Sequence, residues 1–125
     1  MRVLTSHKVN GLNEALWIEV LDEPGAGGAS HEYQITDKPA HDLSMGEVTC
    51  NISFQNGPIA EAGVNGISNE ALLAIVRDRL EGFQSGEFGC EENQLALEHV
   101  SAAIHWLHRR TADRVARGVE GTNQA

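Results

Sequence analysis

Four of the nine basic residues, Arg109, Arg110, Arg114 and Arg117, fall in the stretch 91–122. Arg110 and Arg114 are four residues apart and Arg117 follows three later, so on a helix they form one stripe. Planar guanidinium forks at that spacing suit phosphates or carboxylates. The same residues also suit a solvated helix end, where cations offset the helix dipole. Arg109 has Asp113 four residues on as a neutralising partner, and Glu120 is within reach of Arg117. Phe83 and Phe88 lie near the two ends of the glycine-rich run GFQSGEFGC, residues 82–90. An aromatic there can stack on a nucleobase or plug the end of a helix pair. Asn93 offers a donor and an acceptor, to a base edge or to its own helix start.

Other chemistries find little support. His105 and His108 are three apart and His99 lies six earlier, but there is no HExxH and no cysteine beside them, so a metal site is not expected. Ser30, Ser44 and Ser53 lack a GxSxG context. The glycine run 25–28 has no GK[ST] after it, and no acid–base carboxylate pair stands out. No catalytic residue and no cofactor is expected.

The elements that position the arginines follow from periodicity. Leu97, Val100, Ile104 and Leu107 recur at steps of 3, 4 and 3, no Gly or Pro interrupts 91–117, and Gly118 is a plausible C-cap. This predicts a long helix of about seven turns, roughly 40 Å. Ser68 can cap an earlier helix from Asn69 to about Gly82, with Leu72, Leu73, Ile75, Val76 and Leu80 as its apolar set. The glycine-rich connection lets the two fold back on each other.

Upstream, 15–21 and 31–36 read as strands. So does 47–54, where Val48, Cys50, Ile52 and Phe54 alternate onto one face. Asn56-Gly57 predicts a tight turn with 59–64 as a returning strand. No sustained pattern marks the first 13 residues. The fold class is therefore α+β: a small N-terminal antiparallel β-sheet region, 1–66, then an antiparallel helical hairpin region, 67–125, within one compact unit.

Net charge is −9, with −6 in residues 1–66 and −3 in 67–125. So acidic a chain is a poor binder of nucleic-acid polymer, whereas a small anion needs only a local cluster. Cys50 and Cys90 form no CxxC and are expected as reduced thiols in a cytosol. Neither a signal peptide nor a membrane span is expected. Asn93 and Arg114 are 21 residues apart, about 30 Å along one helix, so one small ligand cannot touch both on the same helix. A shared pocket would need a second subunit, as in an antiparallel pairing of two long helices.

The pattern EN-x-x-AL, an apolar run, then RRT-x-x-R-x-x-RGVEGT, preceded by residues 57–93, resembles the helical hairpin of small phage signal-sponge proteins. These are the Thoeris anti-defence and anti-CBASS hairpin-domain proteins. The resemblance implies a non-catalytic homo-oligomer, a dimer assembling into a hexamer, in the cytoplasm of the infected host. It would sequester glycocyclic ADP-ribose, with cyclic oligonucleotides such as cyclic trinucleotides in separate pockets between dimers. An enzyme degrading such a nucleotide is the alternative. By motif, Phe83 would stack on the adenine, Asn93 would bond the polar edge, and Arg110 and Arg114 would grip the phosphates. Arg109, Arg117 and Thr122 would serve the second pocket. The loop 57–66 would supply a wall, although no basic residue occurs between Lys38 and Arg77.

Overall fold

The computed structural model describes residues 2–9, 11–39, 42 and 44–125, without the side chain of Leu12. Two compact units result: 1–57 with 64–66, and 58–63 with 67–125.

The first unit is an antiparallel sheet in the order β1-β2-β3-β4: β1 (Arg2–Leu4), β2 (Leu16–Val20), β3 (Glu32–Asp37) and β4 (Glu47–Ser53). A short helix α1 (Gly11–Ala15) leads into β2. Three residues are too few to carry a period, which is why β1 is silent in the sequence. The register pairs Ile18 with Ile35 and Val20 with Tyr33. Cross-strand partners share a face, so Ile18, Val20, Tyr33 and Ile35 line one side, and Val20 is fully buried there. Tyr33 meets Phe54 edge-on at 5.6 Å. On the other side Lys8 and Lys38 lie over the Trp17 ring, at 4.5 and 4.9 Å from its centroid.

One expectation about β4 is corrected. Ile35 pairs with Cys50 but Thr36 pairs with Val48, which leaves Thr49 as an extra residue, a β-bulge. Ile35 and Thr36 point to opposite faces, so Val48 and Cys50 do too. Val48, 52% exposed, has slipped away from the face it was expected to share with Cys50 and Ile52.

The connection after β2 is tied by Asp22. Its carboxylate accepts from the backbone N–H of Glu32 at 3.0 Å and of His31 at 2.9 Å. These bonds, Glu32 first, hold the carboxyl below its ordinary range.

A second correction concerns 59–64. It is no returning strand: Ile59–Ala62 forms a short helix, α2, in the helical unit. Pro58 has no N–H for a ladder and stands at the helix N-cap with φ −66°. Gly57 does take positive φ, 87°, but Asn56 does not, so the two-residue hairpin turn expected at Asn56-Gly57 does not form. The place of a strand partner is taken by a side chain. Asn65 Oδ1 accepts from the Asn56 N–H at 2.8 Å, and its Nδ2 donates to the Asn56 carbonyl at 2.7 Å.

In the second unit α3 (Asn69–Gln84) and α4 (Glu91–Ala116) pack as an antiparallel hairpin. Ser68 caps α3 as predicted, its Oγ accepting from the Ala71 N–H at 3.1 Å. Leu97, Val100, Ile104 and Leu107 do form the inner stripe of α4, and Ile104 is buried. The α3 set divides: Leu72, Leu73 and Leu80 are half-buried, while Ile75 and Val76 face outward, 60% and 39% exposed.

Candidate ligand-binding site on the helical hairpin

The seven residues singled out by the sequence separate to the two ends of the hairpin. Phe83 is the penultimate residue of α3 and Asn93 the third of α4, so both stand at the connection. Arg109, Arg110, Arg114, Arg117 and Thr122 stand at the far end of α4 or just beyond it.

The connection end is held by Gln84. Its Oε1 accepts from the Cys90 N–H at 2.9 Å and its Nε2 donates to the Cys90 carbonyl at 3.1 Å. Cys90 caps α4, its sulfur accepting from the Asn93 N–H at 3.4 Å. Residues 83 and 93 are thus anchored through their neighbours. Their own functional groups stay available: Phe83 is 41% exposed, and among the described residues the Asn93 amide has no partner. Gln84 and Cys90 were not identified from the sequence, because a side chain bonding both polar groups of one backbone residue leaves no periodic mark.

The other end ends in a Schellman turn. The Val119 N–H donates to the Arg114 carbonyl and the Gly118 N–H to the Val115 carbonyl, both at 3.0 Å. Gly118, at φ 73°, takes the left-handed conformation this turn needs. The cap position itself is Arg117, one residue before the expected Gly118. The chain then wraps the Arg114 guanidinium. Nε pairs with Glu120 Oε2 at 3.0 Å, Nη2 donates to the carbonyls of Val119 and Thr122 at 2.9 and 3.2 Å, and Nη1 donates to the Gln124 carbonyl. Four of its five N–H groups are engaged, and the residue is 6% exposed. Thr122 donates its hydroxyl to the Val119 carbonyl within the same turn, and the Ala60 N–H donates to the Gly121 carbonyl.

The ion pairs differ from those expected. Asp113 pairs with Arg117 at 3.2 Å rather than with Arg109, and Glu120 with Arg114 rather than with Arg117. Arg117 also donates to the Ala125 carbonyl. Arg109 instead lies 5.5 Å from the centroid of the exposed Trp106 ring, which His105 meets edge-on. Arg110 is exposed and has no hydrogen bond or ion pair among the described residues. Two neighbouring arginines on one stripe therefore differ in kind: one closes the fold and the other is available.

The sheet unit offers a cleft lined by Asp37, Met45, Glu47 and Val48 among others, about 480 Å³ in volume. Among the described residues its lining carries two carboxylates and no cation, which makes it a poor seat for an anion. Among the described residues no three His, Cys, Asp or Glu side chains converge as a metal site would require.

Residues 46–112 match the family model described as the Acb2/Tad1 hairpin domain. The matched span includes Phe83, Asn93, Arg109 and Arg110 and stops before Arg114, Arg117 and Thr122. The chain is also similar to a protein of Bacillus phage SBSphiJ7, Thoeris anti-defense 1, with 41% identity over 100 residues. That stretch is 80% of this chain and 66% of the relative, so just under two thirds of the relative's length is spanned.

Proposed function

The chain belongs to the Acb2/Tad1 hairpin-domain family, and from that premise we propose that it is a phage anti-defence sponge. It captures a cyclic nucleotide immune signal, glycocyclic ADP-ribose in the first instance, and holds it without cleavage in the cytoplasm of the infected host. Cyclic oligonucleotides such as cyclic trinucleotides are the second ligand class, taken in separate pockets near Arg109, Arg117 and Thr122. This would block Thoeris immunity and extend the protection to CBASS.

The observation that carries this reading is Arg110: an exposed guanidinium with no partner among the described residues, on an acidic chain. A phosphate offers it the charge-assisted, bidentate bonds it lacks within the chain. Phe83 supplies the stacking face for adenine and Asn93 the polar edge. These two lie at the opposite end of the hairpin from Arg110, at a separation of about 25 Å along α4 for Asn93. One small ligand meets both sets only if a second copy lies antiparallel, so the working unit is a homodimer, assembling further into a hexamer. Exposed Leu95 and Trp106, eleven residues apart on one face of α4, give that pairing apolar area to bury. Arg114 takes a positioning role in this reading, holding the turn that carries Thr122.

Sequestration works by mass action. A nanomolar dissociation constant, about −12 kcal/mol, lets stoichiometric protein keep free signal low. The test is to load the purified protein with glycocyclic ADP-ribose, denature it, and identify what is released. Intact ligand in stoichiometric amount is expected; a linear or hydrolysed product would establish the degrading enzyme instead.

A further inference from the structure

Arg79 has no function in the reading so far, and it stands where the Phe83 end of the hairpin needs a cation. Its Cζ lies 5.6 Å from the centroid of the Phe83 ring, one helical turn along α3. Arg77, two residues earlier, pairs with Glu81 at 3.8 Å. Arg79 has no such neighbour. The positions three and four residues away on the helix are Ile75, Val76, Gly82 and Phe83, none of them acidic. Arg79 is exposed and makes no hydrogen bond or ion pair among the described residues.

The surroundings give this cation its significance. Ile75, Val76 and Phe83 are 60%, 39% and 41% exposed and form one outward stripe with Arg79 in it. Glu87, Glu91 and Glu92 sit on the connection and the first turn of α4, so this end is otherwise acidic. An anionic ligand stacked on Phe83 would meet net repulsion unless a cation were beside the ring. Arg109 and Arg110, which also have no hydrogen bond or ion pair among the described residues, belong to the far end of the same hairpin.

We propose that Arg79 is a ligand-contacting residue of the nucleotide site, with its guanidinium on one face of Phe83 and the adenine on the other. This inference rests on the sponge reading above. Stacking fixes the guanidinium plane while leaving its N–H edge free to meet a phosphate of the same nucleotide. Each copy then brings a base platform, a polar edge and a cation to the connection end, and Arg110 of a second copy adds a further cation.

The test is titration calorimetry with glycocyclic ADP-ribose at low and high salt, on wild type, Arg79→Ala, Arg79→Lys and Phe83→Ala, with native mass measured for each. Arg79→Ala is expected to weaken binding by at least about tenfold at unchanged assembly mass. The loss should be larger at low salt, where an exposed charge is less screened. Arg79→Lys, which keeps the charge but not the fork, should recover part of it. Wild-type affinity in Arg79→Ala, in a protein that still loses affinity on Phe83→Ala, would overturn the proposal. So would a changed assembly mass with affinity intact, which would make the stripe an interface between copies. Failure of the wild type to bind would overturn the sponge reading as well, and is visible without any variant.

Discussion

Arg114 and the turn around it contrast with the connection end, where Phe83 and Asn93 stand. At the first, a buried guanidinium gathers the chain: three carbonyls and a carboxylate from residues 119–124 converge on one side chain. At the second, the clamp is made by a neighbour, Gln84, and the Asn93 amide and the face of Phe83 away from Arg79 are left uncommitted. A polar group that is satisfied internally stabilises the fold but has little left to offer a ligand. A group held in place by its neighbours' bonds keeps its own for a partner. Arg110, one turn from Arg114, belongs in this sense with Phe83 and Asn93.

The contrast is broken most severely at Arg114. Arg114→Ala leaves the Thr122 and Gln124 carbonyls and Glu120 without this donor, while the Val119 carbonyl keeps the Thr122 hydroxyl, and should cost about 2–4 kcal/mol of stability, less than a fully enclosed pair because Glu120 is partly in water. Denaturant unfolding of the variant checks this. A change below about 0.5 kcal/mol would show that the turn does not depend on its guanidinium. Arg110→Ala should do the reverse. It should leave the unfolding midpoint within the range of ordinary surface substitutions while weakening capture of glycocyclic ADP-ribose by roughly 10- to 150-fold. Making the two changes separately is what sharpens the comparison, since together they would mix a loss of fold with a loss of ligand contact. Phe83→Ala should weaken capture by about 1–3 kcal/mol, again with unfolding almost unchanged.

The smallest effect lies in the sheet unit. Asp22 has its carboxyl lowered by the backbone N–H groups of Glu32 and His31. The folded value lies below the unfolded one, so the stabilisation is present above the ordinary carboxylate range and is lost as pH falls through the folded value. Thermal unfolding from neutral pH to about pH 3 should show a shallower acid loss in Asp22→Asn than in wild type. Parallel curves would remove Asp22 from the acid response.

Periodicity made the long elements legible. Leu97, Val100, Ile104 and Leu107 announce α4 and its inner face, and Ser68 announces the start of α3. What the sequence did not disclose depends on single side chains acting at a distance. Thr49 as a bulge moves Val48 across the sheet, and no alternation can reveal one extra residue. Asn65 imitates a strand partner and frees 59–62 to be helical. The arginine stripe was legible as a stripe, but the difference between Arg110 and Arg114 lies in residues 119–124, which converge on Arg114 and have no repeating pattern. The same holds for Arg79, whose isolation appears only when each helical neighbour is checked for an acid.

The most direct test of the account is native mass spectrometry of the intact protein with and without glycocyclic ADP-ribose. The account predicts an even-numbered assembly of this chain that gains intact nucleotide in fixed stoichiometry, because the connection end of one hairpin and Arg110 of another must meet on one ligand. A monomer that binds nothing, or a monomer that binds the nucleotide as well as any assembly does, would contradict it.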